Sequence, residues 1–168
     1  MLLVIRQRFG RVLRLCGAVA GGITFAVMLL VAANVFTRYF FNAPIAGTLE
    51  VTESALGYII FLSLAMTQYE GGHIQVVLLT QRLSPRAART VEVIALSIAV
   101  AFFAWATSAT LDSALESWSM NEQEWGAIQF PLYPVRFAIT LGLALMTLQC
   151  LLDAWLAATG QSAGKAHP

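Results

Sequence analysis

The chain has 168 residues, 58% of them hydrophobic and 11% charged, with a formal net charge of +1. Soluble domains carry about 25% charged residues, so these side chains cannot furnish a water-facing surface, and lipid must solvate much of the exterior. The near-neutral balance suggests neither a nucleic-acid footprint nor an acidic tail, and two cysteines, Cys16 and Cys150, stand far apart in no CxxC spacing, so neither a zinc site nor a redox pair is indicated.

In chain order, residues 2–13 place Leu2, Ile5, Phe9, Val12 and Leu13 on one helical face and the arginines mostly on the other. That pattern predicts an N-terminal interfacial helix, drawn to anionic headgroups at about 1 kcal/mol per basic residue. A basic flank that merely fixes topology accounts for it equally well. Residues 15–37 lack any charge and form the first expected span, long enough at 1.5 Å per residue to cross about 30 Å of hydrocarbon. The stretch exceeds the 7–15 residues, roughly, of a signal-peptide core. Within it Gly17 and Gly21 make a GxxxG pair, a candidate helix-packing face toward the bundle or a partner.

The second span is expected at 51–69, with Glu50 and Glu53 at its headgroup end and Arg38 just beyond span one on the same side. Acids three residues apart share a face and suit a helix N-terminus. They could pair with Arg38 and tie two spans together, or grip a partner subunit. His73 follows Gly71 and Gly72 at the far end, where a partly protonated imidazole suits a helix C-terminus. The only other histidine is His167, so bis-histidine haem ligation within the bundle is excluded, and no metal-ligand cluster is present in the sequence.

Span three is expected at 92–112, bracketed by Glu92 and Asp112, and span four at 136–155, with Arg136 snorkelling at its start. Between them, Glu116, Glu122 and Glu124 alternate with the interface anchors Trp118, Trp125 and Tyr133, and Pro131 and Pro134 interrupt the helix. Continuous apolar runs favour helices over barrel strands. The fold class is therefore an all-α integral membrane protein, a single domain over 1–168 built as a bundle of four transmembrane helices. Arg6, Arg8, Arg11, Arg14, Arg82, Arg86, Arg89 and Lys165 fall on one side, and only Arg38 and Arg136 on the other, which predicts that both termini face the cytoplasm. No ionisable residue lies at mid-depth, so neither a proton relay nor a catalytic centre is expected, and no cofactor is implied.

The run NVFTRYFFNAPIAGTLEVTESALGYIIFLSLAMTQYEGGHIQVVLLTQRLSP, residues 34–85, is specific. Arg38-Tyr39, Asn42 with Pro44, Gly47-Thr48 with Glu50, and Gly72-His73-Ile74 with Val76 and Leu78-Leu79 resemble the DctQ family, the small membrane subunits of tripartite ATP-independent periplasmic (TRAP) transporters. Val77, where relatives often place an acid, and Tyr69-Glu70, where a more basic pair is usual, depart from the pattern. The resemblance implies a multi-pass protein of a bacterial inner membrane. It further implies a large membrane subunit of the DctM type and a periplasmic solute-binding protein of the DctP type as partners, alongside membrane lipids. The function implied is that of a non-catalytic scaffold in a secondary-active, sodium-coupled importer of an organic acid. Arg38, Glu50, Glu53 and His73 are the candidate structural or partner contacts. The competing expectation is an autonomous proton-coupled transporter that uses Glu53.

Overall fold

Among the described residues, helix is the outcome where the chain is continuously apolar and free of internal proline. The computed structural model describes residues 2–71, 84–124, 126 and 128–159. It contains α1 over Leu2–Phe41, α2 over Thr48–Tyr69, α3 over Pro85–Ser119 and α4 over Tyr133–Thr159. Each of the four is long and apolar enough to cross a membrane. Among the described residues the only β pairing is an isolated bridge between Gln123 and Pro131.

Local chemistry sets the ends. Ser84 caps α3 by accepting from the Ala87 N–H, and Pro85 occupies the first position, where its missing N–H has no consequence. Hydroxyl groups inside the helices bond back to carbonyls four residues earlier, as in Thr24 to Ala20, Ser63 to Ile59, Thr107 to Phe103 and Thr147 to Leu143. A donor handled in this way crosses hydrocarbon without a water partner.

The helices pack in the order α1, α2, α4, α3, and α1 reaches α4 over a short stretch that includes Arg6 and Leu13. α2 and α4 are therefore the inner pair. In the most apolar window of α4, 44% of residues are buried, against 6% in α1 and none in α3, so the two outer helices present most of their surface outward. Glycine makes the inner contact tight. A Cβ on Gly142 would stand 2.2 Å from the Phe61 carbonyl oxygen, and one on Gly57 would stand 2.7 Å from Val135 Cγ1. Small residues of this kind let helix backbones approach where no hydrophobic force drives them together. Leu13, Ala65, Met146 and Cys150 form the buried cluster that joins three helices, with Phe9, Tyr69 and Phe103 packed around it.

The helices overrun the expected spans. α1 has 40 residues and so measures about 60 Å, roughly twice the hydrocarbon thickness. The charges that bracket the expected spans do not end the helices. Residues 2–13 are the first turns of α1 with no break before residue 14, so they do not form a separate helix. Phe9 is half-buried, Leu13 is fully buried and Val12 is half-exposed, which turns the apolar face toward the bundle. The side chains of Leu2 and Ile5 lie outside those described.

The GxxxG pair divides. Gly17 faces Met66, where a Cβ would meet Cγ at 3.3 Å, whereas nothing lies within 4 Å of a Cβ on Gly21. Gly142→Ala is thus expected to destabilise the protein by about 1–3 kcal/mol through overpacking against Phe61, and Gly21→Ala to stay within about 0.5 kcal/mol of the parent. Thermal unfolding of both variants in one mild detergent checks the contrast, and equal behaviour would refute the α2–α4 contact as drawn.

Candidate functional site

Residues 34–53 build one end of the molecule. Asn42 leaves α1 with φ 49°, and the Ala43 N–H donates to the Thr37 carbonyl at 3.3 Å. The Ile45 N–H donates to Asn34 Oδ1 at 2.7 Å, and Thr48 Oγ1 donates to the Ile45 carbonyl at 2.8 Å. Gly47, at φ 82°, starts α2 in a conformation that disfavours side chains, and a Cβ there would collide with Ile128. Asn34, Asn42, Gly47 and Thr48 are therefore the parts of a short helical hairpin.

Three carboxylates gather beside it. Glu50, in the first turn of α2, is 6% exposed and lies under the loop backbone at Gly126. Glu53 is exposed and shares a side-chain hydrogen bond with Glu124. Partial burial of the loop carboxyl, together with the bond to Glu53 and the charges of Glu53 and Glu50, holds Glu124 above its ordinary pKa of 4.5. The loop is strapped by Glu122 N–H to the Ser117 carbonyl, Glu124 N–H to the Phe130 carbonyl and Leu132 N–H to the Glu122 carbonyl. Among the described residues, no group of His, Cys, Asp and Glu has the arrangement to hold a metal ion.

Arg38 stands in the last turn of α1, exposed, and among the described residues no ion pair joins it to Glu50 or Glu53. The guanidinium that is paired at this end is Arg136, whose Nη2 lies 2.9 Å from Glu122. Trp118 packs edge-on against Tyr133 at 5.0 Å and Phe137 at 6.0 Å, which joins the ends of α3 and α4.

The opposite end holds a polar network that the charge pattern alone did not reveal. Arg6 Nε donates to Asp153 Oδ1 at 3.3 Å, and its guanidinium carbon sits 4.8 Å from the centre of the Tyr69 ring. Gln68 Nε2 donates to Asp153 Oδ2 at 3.3 Å, and Gln149 Nε2 reaches both carboxylate oxygens at 3.0 Å. Asp153 thereby ties α1, α2 and α4 together. Arg89, on α3, donates to the Ala157 carbonyl at 2.7 Å and to the Ala158 carbonyl, so it satisfies acceptors in the last turn of α4. The signal for this network was present in Gln68 and Gln149, amides within otherwise apolar runs, the second four residues before an acid. His73 lies outside the described residues.

Removing one member of the Asp153 network strands a partly buried charge. Asp153→Leu is expected to cost about 2–4 kcal/mol, most of it recovered in the double variant R6M/D153L, as a double-mutant cycle with R6M on unfolding would read out. At the hairpin end, the raised Glu124 pKa means that stability is fully present below pH 4.5 and falls as pH rises toward the folded-state value, because the unfolded chain releases the proton first. Glu124→Gln should therefore raise the melting temperature at pH 7, with the gain disappearing below pH 4.5. A gain independent of pH would show that proton binding is not the cause.

The family model described as "Tripartite ATP-independent periplasmic transporters, DctQ component" matches residues 27–160, which include the hairpin, both carboxylates of α2 and the Asp153 network except for Arg6. No curated protein and no solved structure matches the chain. With the greater part of its length matched, from the middle of α1 to the end of α4, this chain belongs to the DctQ family, the small membrane component of TRAP transporters.

Proposed function

We propose that the chain acts as a static scaffold, without catalysis, beside a large membrane subunit that binds and moves an organic acid delivered by a periplasmic solute-binding protein. Import is coupled to a sodium gradient across a bacterial inner membrane, and both termini face the cytoplasm. The carrying observation is the distribution of polar groups within a DctQ chain. They are tied at the two helix ends, by Asp153 at one and by the strapped loop and hairpin at the other, while the outer helices α1 and α3 keep their long faces uncovered. Such a body supplies rigid helical walls to a partner and carries no charge at mid-depth with which to transport anything alone.

Arg38, Glu50, Glu53 and His73 are assigned to contacts with the partner or to holding the ends that meet it. Arg38 suits the first role, being exposed and outside the ion pairs of the described residues. Arg38→Ala is expected to lower recovery of the large subunit in affinity purification several-fold while leaving the melting temperature of the isolated chain unchanged. Uptake by vesicles carrying both membrane subunits and the binding protein should require sodium and should vanish when this chain is omitted. Full uptake without the chain, or substrate-dependent proton flux by the chain alone that Glu53→Gln abolishes, would overturn the scaffold reading.

A further inference from the structure

Arg6 and its neighbours Arg8, Arg11 and Arg14 have different fates in the fold. Arg6 turns inward to Asp153 and Tyr69. Arg8, Arg11 and Arg14 are exposed, and none of them makes an ion pair among the described residues; Arg14 Nε bonds only to the Gly10 carbonyl one turn back, at 3.4 Å. At about 100° per residue the three share an arc of about 120°, opposite the face on which Phe9, Gly10, Leu13, Gly17 and Ala20 meet the bundle. The first acidic residue in the chain is Glu50, so no acid of α1 offsets this charge.

The same outward face continues along α1 as Leu15, Val19, Gly22 and Leu29, the three larger ones 67%, 45% and 53% exposed and Gly22 with open space around it. Basic groups therefore sit directly below an uncovered apolar strip. The axial rise from Arg8 to Arg14 is about 9 Å, comparable to the headgroup layer of roughly 5–7 Å on each side of the hydrocarbon. Arg14 adjoins the uncharged stretch 15–37 and stands at its edge.

The helix cannot serve this charge by lying flat on the membrane. Its apolar face at this level is already consumed: a Cβ on Gly10 would overlap the Tyr69 ring, Leu13 is fully buried, and Arg6 is held by Asp153. α1 runs unbroken from Leu2 to Phe41 with that face packed on the bundle, so a lipid reaches the exposed arginines from the side. We propose that Arg8, Arg11 and Arg14 form a lateral binding site for the phosphate of an anionic phospholipid, whose acyl chains lie along Leu15, Val19, Gly22 and Leu29. Charge complementarity selects this occupant, because the guanidinium groups match phosphate geometry while the strip above them is apolar and suits acyl chains.

Native mass spectrometry of the full-length chain, titrated with dioleoyl-phosphatidylglycerol and with dioleoyl-phosphatidylcholine, tests the site. The anionic lipid is expected to bind tighter by about fivefold for each arginine engaged, with the preference shrinking as salt rises. R8Q/R11Q/R14Q should erase the preference. Because that variant lowers the charge that directs insertion, the single variant R11Q provides the independent measure, with an expected loss of about fivefold and unchanged helical content. R6Q, by contrast, should reduce stability and leave lipid preference in place. Equal affinity for the two lipids, a preference that survives R11Q and the triple variant, or displacement of the lipid by millimolar inorganic phosphate would overturn the proposal. So would loss of large-subunit binding in R11Q with lipid preference intact, since the face would then belong to an acidic protein surface.

Discussion

At Gly142 the backbone of α4 comes against the Phe61 carbonyl of α2, and the order of the other helices follows from that contact. In hydrocarbon there is no hydrophobic force between helices, so association rests on close packing and on polar groups that find partners across the interface. The α2–α4 pair supplies the packing through glycine. α1 then attaches to α2 through Gly10, Leu13 and Gly17, and α3 attaches to α4 through Arg89 at one end and the Trp118 cluster at the other. The result is a row with two exposed flanks instead of a closed ring, a shape that suits a component of a larger membrane assembly.

The polar groups complete the frame. Asp153 lies too near the middle of its helix end to be solvated fully, with only 13% of its side chain exposed, and it is held by one guanidinium and two amides from three helices. A carboxylate in that setting fixes the depth at which α1 meets α2 and α4, because a shift of one turn would part Arg6 from it. At the other end the restraint is covalent and short: a hairpin of a few residues and a strapped loop that covers Glu50. The two ends thus use different chemistry for the same purpose, to lock helices that slide easily in lipid.

Much of this was legible from residue order. Four apolar runs and their charged borders follow from local requirements, since a helix in lipid satisfies its own backbone, whereas the hairpin, with positive φ at Asn42 and Gly47, came only with the structure. The start of α3 carries a local signal in Ser84 and Pro85, but its continuation to Ser119 was not legible, because the charges at Asp112 and Glu116 do not break a helix. Gly17 and Gly21 look alike in the GxxxG pattern, yet only Gly17 meets a neighbour. The face of α1 that turns inward depends on where α2 lies.

What the amino-acid sequence determined by itself is the class, the four helices among the described residues that are long and apolar enough to cross a membrane, and the family, because these depend on hydropathy, charge position and short motifs that act locally. Which charges pair is a different matter. Arg6 and Asp153 are separated by 147 positions, and Arg136 chooses Glu122 while Arg38 remains outside the ion pairs of the described residues. Those choices were made only when helices α1, α2 and α4 came together, since distance and direction between side chains on different helices are properties of the packed arrangement and of no single segment.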